Sequence, residues 1–196
     1  MKGEEERKGA EDAAAAEAAI EKDVCAQIRA AAPGAGRVAE TVEGIVQRVL
    51  VPLAGGDPAE VEDALAQAMA GVVEAAKHVP PVWHAARGAV LGAARATSGA
   101  TLDPYRVLGL AAAALVERAD KGGGDFGAAA KGAVEGAILA AEAVGLDDER
   151  AASAAATAAY EKARERDTAA GERVLAVVHR PVMGVRSVVR GVPGGS

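Results

Sequence analysis

The chain has 196 residues and a formal net charge of −6, a size that suits one domain or one continuous stack of repeats rather than two separate domains. The acidic balance and the scarcity of aromatic residues exclude a typical nucleic-acid-binding protein, which needs clustered Lys and Arg and aromatic stacking surfaces. Because only 2% of the residues are aromatic, the core must be built from Ala, Val and Leu, and this thin core predicts a homo-oligomer or a protein partner.

The beginning of the chain and its cysteine content indicate a cytoplasmic location. Residues 1–6 are acidic where a secretory signal is basic and then apolar, and Cys25 has no second cysteine with which to form a disulfide. A membrane-spanning helix needs about 18 uninterrupted apolar residues. The nearest stretch, residues 126–146, contains three charged residues, so no transmembrane span is predicted.

Helical sequence begins after a charged amino-terminal stretch. Residues 1–10 are predicted to be disordered or frayed because they are rich in charge and poor in apolar residues. Residues 11–32 are rich in Ala and also contain Glu and Lys, which all favour helices, and Pro33-Gly34 then ends the segment.

Similar residues then recur every 44 positions, which is typical of a tandem repeat. The recurring sets are Gly44, Gly88, Gly132 and Ala176, and Val46, Val90, Val134 and Val178. Three equal steps are hard to reach by chance even in a sequence this rich in Ala and Gly. Each set therefore marks the first helix of a repeat unit.

Turn residues recur between these positions and predict a second helix in each unit. Asp57-Pro58, Asp103-Pro104 and Asp147-Asp148 each combine an aspartate, which can cap a helix, with a residue suited to the first helical position. The joints between units are predicted at residues 78–81, at residues 122–125, and from Asp167 to Gly171.

The sequence thus predicts an all-α protein of tandem helix-pair repeats with a period of about 44 residues, forming a helical solenoid or bundle. Residues 11–192 are expected to form one domain, followed by a tail at 193–196. The predicted units are about 37–78, 82–121 and 125–167, with a half unit at 171–191.

Glycines inside the predicted first helices need a packing reason, since each costs roughly 1 kcal/mol relative to Ala. Gly88 with Gly92, and Gly132 with Gly136, each place two glycines four residues apart, which makes a groove on one face of a helix. We expect neighbouring repeat helices to pack there. Membrane-helix dimerisation by the same spacing is the alternative, and charged residues on the helix argue against it.

Polar residues on the predicted first helices are expected to form a solvent-exposed edge. This edge comprises Glu40, Glu43, Arg87 and Lys131. Lys131 and Glu135 are four residues apart, a spacing that favours an ion pair worth a few tenths of a kcal/mol.

Three features resemble sites of chemistry, and none has a convincing pattern. Glu74, His78 and His84 are too loosely spaced for a zinc site, which usually needs four ligands. Cys25 has no assignable base, and Gly122-Gly123-Gly124 lacks the Lys and Ser or Thr of a phosphate-binding loop. No catalytic residue, cofactor or metal is therefore predicted.

Trp83 follows the Pro80-Pro81 joint and is expected to hold that joint against the core. A role in binding a partner is the alternative, because Trp is enriched at interaction hot spots.

The end of the chain has an apolar stripe with two interpretations. Leu175, Val178, Val182, Val185 and Val189 recur at helical spacing, and arginines surround them. In the favoured interpretation this helix caps the stack, docked on the third unit or on a second subunit. In the other, residues 171–192 form a basic amphipathic helix that binds an anionic membrane surface.

These patterns favour a non-enzymatic structural or interaction protein, namely a self-associating helical-repeat scaffold. The alternative is an amphipathic surface-coat protein on lipid or polymer granules. An enzyme with a site assembled from distant residues is the third hypothesis.

Overall fold

A computed structural model describes residues 19–31, 34–79 and 81–178. Within these ranges the structure is helical and contains no strand, so the predicted all-α fold is confirmed. The helices are α1 (19–31), α2 (Val38–Leu50), α3 (Pro58–Ala76), α4 (Val82–Ala96), α5 (Pro104–Lys121), α6 (Phe126–Val144), α7 (Asp148–Arg166) and α8 (Thr168–Val178), with a 3₁₀ turn at Ala35–Arg37.

Aspartate side chains determine where most of the helices begin. At five helix starts a carboxylate accepts a hydrogen bond of 2.6–3.0 Å from a backbone amide of the first turn. The capping residues are Asp57, Asp103, Asp125, Asp147 and Asp167. The predicted starts of α3, α5 and α7 are therefore confirmed.

The helices pack in two rows, and the chain alternates between them. α2, α4, α6 and α8 contact one another in that order and form the first row, while α3, α5 and α7 form the second row. Each of these helices also contacts the next helix along the chain. α1 lies against α3, where Gly71 approaches the backbone of Glu21, and so extends the second row.

Glycines allow the helices of the first row to approach through their backbones. A Cβ atom at Gly88 would overlap the backbone carbonyl of Ala39 in α2, and a Cβ at Gly132 would overlap that of Trp83 in α4. The absence of a side chain at these glycines thus permits the two contacts. The contacted residues, like the glycines, are 44 positions apart.

The second glycine of each pair makes the same kind of contact one helical turn later. A Cβ at Gly92 would lie 2.5 Å from the carbonyl oxygen of Glu43, and one at Gly136 would lie 2.5 Å from that of Arg87. The paired glycines of α4 and α6 therefore form one face, against which the backbone of the preceding first-row helix packs.

The core between the rows consists mainly of alanine and valine. Val46, Val90, Val134 and Val178 are fully buried, one in each helix of the first row. Small side chains of this kind bury a useful area only where helices lie close together. The glycine contacts supply that proximity in the first row.

The turn before α8 differs from the prediction. The expected joint from Asp167 to Gly171 is wrong, because α8 begins at Thr168 and Asp167 alone forms the turn. Its extended backbone (φ −164°, ψ 160°) ends α7, and its carboxylate caps α8 by accepting from the amide of Ala170 at 2.6 Å.

α8 also packs less closely than the earlier helices of its row. Ala176 is exposed, whereas Gly132 and Gly88, 44 and 88 residues earlier, are buried. Gly88 and Gly132 can make close backbone contacts because they have no Cβ atom. Ala176 has a Cβ atom at the corresponding place. The predicted frayed segment 1–10 and the stripe residues Val182, Val185 and Val189 lie outside the described residues.

We predict that Gly132→Ala lowers the free energy of unfolding by about 1–3 kcal/mol, because its methyl group would overlap the carbonyl of Trp83. Gly44 in α2 is the matched control, since no described atom lies within 4 Å of the position of its Cβ. Gly44→Ala should raise the free energy of unfolding by up to about 1 kcal/mol through helix propensity.

Urea denaturation of dilute protein, followed by circular dichroism, measures both changes. A Gly132→Ala variant as stable as the unchanged protein would contradict the close backbone contact between α4 and α6.

Candidate functional site

Aromatic, cationic and acidic side chains lie close together where α4 contacts α6. We call Trp83, His84, Arg87, Lys131 and Glu135 the Trp83 cluster. Trp83, His84 and Arg87 lie on the first two turns of α4, which begins directly after Pro81, an extended residue (φ −94°, ψ 148°). Close packing of Gly132 against Trp83 brings Lys131 and Glu135 of α6 beside them.

The Trp83 ring is surrounded by cations and by a second ring. It stacks on His84 with 3.7 Å between ring centroids and an angle of 27° between planes. The guanidinium carbon of Arg87 lies 5.5 Å from the Trp83 centroid, and Lys131 Nζ lies 4.9 Å from it, both in the range of cation–π attraction.

The backbone of Trp83, rather than its ring, packs closely against α6. The ring is half-buried among the charged side chains of the cluster, whereas the Trp83 carbonyl lies against Gly132. The contact with α6 is thus one that any residue type could make at position 83, and the expectation that the ring holds the joint against the core stays a prediction. The Trp83 ring contacts the cations of Arg87 and Lys131.

Glu135 is buried, which sequence reasoning did not anticipate. Only 6% of the residue is exposed. The expected ion pair with Lys131 is present, with 3.7 Å between Nζ and Oε1. The other oxygen, Oε2, has no hydrogen-bond partner among the described residues. A buried oxygen that loses water without gaining a partner destabilises the fold by about 1–3 kcal/mol.

His84 is the titratable group that the cluster perturbs. Burial lowers its pKa below the ordinary value of 6.5, the Arg87 charge lowers it further, and Glu135 partly opposes both effects. The neutral imidazole is therefore favoured in the folded protein. The cluster can stack aromatic groups and hold charge, and its described members include no Ser, Cys or Thr that could act as a nucleophile.

The residues weighed for a metal site do not come together. Glu74 accepts a hydrogen bond of 2.5 Å from Lys77, which lowers the pKa of the Glu74 carboxyl. His78 is exposed after the end of α3, and His84 stacks on Trp83. Across the described ranges, no three His, Cys, Asp or Glu side chains are placed to hold a metal ion.

The other two features have structural roles. Cys25 is half-buried on α1 and packs against the core. The amide of Gly124 donates to the carbonyl of Ala119 at 2.8 Å, and Gly123 adopts the left-handed conformation (φ +68°). The glycine run therefore ends α5 with a C-capping turn.

The sequence did not predict the ion pairs between neighbouring helices of one row. Glu43 of α2 binds Arg95 of α4, Glu62 of α3 binds Arg106 of α5, and Asp120 of α5 binds Arg166 of α7. The hydrogen bond from Arg106 lowers the pKa of Glu62. The partners are separated by 44 to 52 residues. Opposite charges separated by about 44 residues in the sequence were the signal that could have found them.

A groove lies between α1 and α2, and we call it the α1–α2 groove. It has a volume of about 460 Å³, and Ala30, Ala31, Thr41 and Gly44 are among its lining residues. Arg48 and Gln27 cross one side of it, with 3.4 Å between their side-chain atoms. Small residues leave the surface of α2 accessible here, and Gly44 is exposed.

Replacing Glu135 by Leu should raise the free energy of unfolding by about 1–3 kcal/mol, because the buried oxygen without a partner is removed. The matched control is Glu142→Leu, an exposed position of the same helix that should change stability little. Thermal and urea denaturation measure both variants. A less stable Glu135→Leu would mean that the carboxylate has a favourable partner.

The lowered pKa of His84 predicts a loss of stability in mild acid. The unfolded chain binds a proton at this residue near pH 6.5 while the folded chain resists it, so the free energy of unfolding falls as pH decreases from 7.5 to 5.5. His84→Gln should reduce this fall, and His78→Gln, at an exposed position, should retain it. Equal pH dependence in both variants would contradict the assignment to His84.

Among the described residues, no helix combines the length and apolar character needed to cross a bilayer. Comparison of the chain with protein-family models, curated proteins and solved structures gave no match.

Proposed function

We propose that the protein is a non-enzymatic, self-associating helical scaffold. One observation carries the proposal. Gly88 and Gly132 are each covered by the backbone of the preceding first-row helix, whereas Gly44 is exposed in the α1–α2 groove with no described atom near its missing side chain. The surface that α4 and α6 use for packing is thus open on α2.

The order of contacts in the first row supports the same proposal. α4 lies between α2 and α6, and α6 lies between α4 and α8. In the described part of the chain, α2 and α8 each have a first-row neighbour on one side alone. A stack whose interior faces are apolar and small exposes similar faces at its ends, and repeat proteins need a polar cap or a partner there.

The charged clefts support a structural role rather than a substrate site. A cavity of about 200 Å³ is lined by the ends of α5 and α7, and its charges bind one another. Lys162 lies between Glu165 at 2.8 Å and Glu117 at 3.8 Å, and both contacts raise its pKa. These side chains connect helices and are therefore already paired.

An amphipathic surface coat is the second candidate, and a specific observation favours it. Val51 and Leu53, in the turn after α2, are 53% and 37% exposed and are the large apolar side chains most open to solvent in the described residues. Two apolar side chains at the tip of a turn can insert into a lipid or polymer surface.

Sedimentation velocity of the full chain over a hundredfold range of concentration tests the proposal. We expect the average mass to rise with concentration above that of one chain. Co-sedimentation with anionic vesicles, compared between the unchanged protein and Leu53→Ser, tests the coat. A single-chain mass at every concentration, together with vesicle binding that Leu53→Ser weakens, would replace the scaffold by the coat.

A further inference from the structure

We infer that the α1–α2 groove receives α8 of a second copy of this chain, so that copies assemble head to tail. This inference rests on the proposed scaffold function and specifies the two surfaces that meet. It gives the groove one occupant, a first-row helix of another molecule.

The interior of the fold shows what a glycine face of the first row accepts. Gly88 and Gly132 both accept the backbone of a helix from the same row. Gly44 occupies the corresponding place on α2. Ala30, Ala31 and Thr41 are small residues of the groove beside it, and the longer side chains of Gln27, Glu40, Ile45 and Arg48 complete its lining. An occupant that extends the row is therefore a helix of first-row type.

α8 is the other described first-row helix with an open face. It buries Ala170, Gly171, Val174 and Val178 against the rest of the chain. Ala169, Glu172, Arg173 and Ala176 are exposed, and their spacing of three and four residues places them on one side of the helix. The Arg173 guanidinium lies over the Phe126 ring, and the two alanines leave shallow positions above and below the charged pair that a neighbouring helix can approach.

The ends of the two rows are offset in complementary directions. At one end α1 extends the second row beyond α2, and at the other end α8 extends the first row beyond α7. When α8 of one copy lies beside α2 of the next, α1 of the next copy lies beside α7 of the first. One contact therefore fills the open position beside α2 and the open position beside α7. A symmetric contact between two grooves would instead leave the position beside α7 open in both copies.

The distribution of charge along the sequence favours the same pairing. Residues 1–23 contain eight acidic and four basic residues. Residues 168–196 contain four arginines and a single acidic residue, Glu172. Pairing of an acidic part of the sequence with a basic part is electrostatically more favourable than pairing of two parts of like charge.

A contact between two different surfaces propagates, because each copy keeps one free end of each kind. Such an interface produces a ring if the rotation between copies closes, and a filament if it does not. Two copies in solution would therefore be an intermediate of assembly rather than its end point.

Two blocking variants test the inference through their mixture. Gly44→Leu fills the groove and leaves α8 intact, and Ala176→Glu adds bulk and negative charge to the open side of α8 and leaves the groove intact. We expect each variant alone to keep the mass of one chain under conditions where the unchanged protein assembles. An equal mixture should form a one-to-one dimer and nothing larger, since each has one usable surface.

Ala143→Leu is the matched control, because it adds the same apolar side chain at an exposed position of α6 and should assemble like the unchanged protein. Circular dichroism should show that Gly44→Leu is folded and melts at or above the temperature of the unchanged protein, since it replaces an uncrowded helical glycine.

The outcomes separate the inference from the proposed function. If the unchanged protein never assembles, both fail. If it assembles and Gly44→Leu assembles equally well, or if the two variants do not dimerise when mixed, the head-to-tail contact is wrong and the scaffold survives. If Gly44→Leu melts at a lower temperature in dilute solution, the groove is filled by a segment of its own chain, which also overturns the inference.

Discussion

Direct contact between helix backbones at glycine is the constraint on which this structure depends. The chain has few large side chains, so its helices cannot be held together by a few deep anchors. Where Gly132 meets Trp83, and where Gly88 meets Ala39, the distance between helix axes is set by main-chain atoms. Alanines and valines on both sides of these contacts are then close enough to fill the space between the rows.

Charged residues add directionality to packing that would otherwise be nonspecific. Alanine faces can slide along one another with little change in contact area, whereas an ion pair has one best position. The pairs Glu43–Arg95 and Glu62–Arg106 join consecutive helices within a row, one pair in each row. Because these pairs are partly exposed, each adds little stability, and their contribution is to favour one alignment of the helices.

Glu135 departs from this pattern. Its carboxylate lies within the α4–α6 contact, its nearest cation is 3.7 Å away, and one of its oxygens has no hydrogen bond among the described residues. The residue 44 positions earlier is Leu91, which packs against the core. A leucine is thus compatible with the corresponding place in α4, which makes the carboxylate at Glu135 a local property of α6.

The sequence predicted helix starts, which depend on neighbouring residues, better than it predicted which side chains become buried between helices. Asp57, Asp103 and Asp147 predict helix starts because a cap depends on residues two or three positions away. The burial of Glu135 depends instead on how α6 lies against α4, which spacing along one helix does not determine. The joint at Asp167 was predicted to be too long for a related reason. A single residue that ends one helix and caps the next leaves no loop composition to recognise.

The position of Trp83 makes it a natural optical reporter. It is the single tryptophan of the chain and lies where α4 meets α6, so indole emission reports on the separation of these two helices. Circular dichroism averages over all the helices. In a molecule whose helices contact mainly their neighbours, cooperative loss of structure need not extend through the whole stack. Coincidence or divergence of the two signals during denaturation would therefore show whether the ends of the molecule melt with its centre.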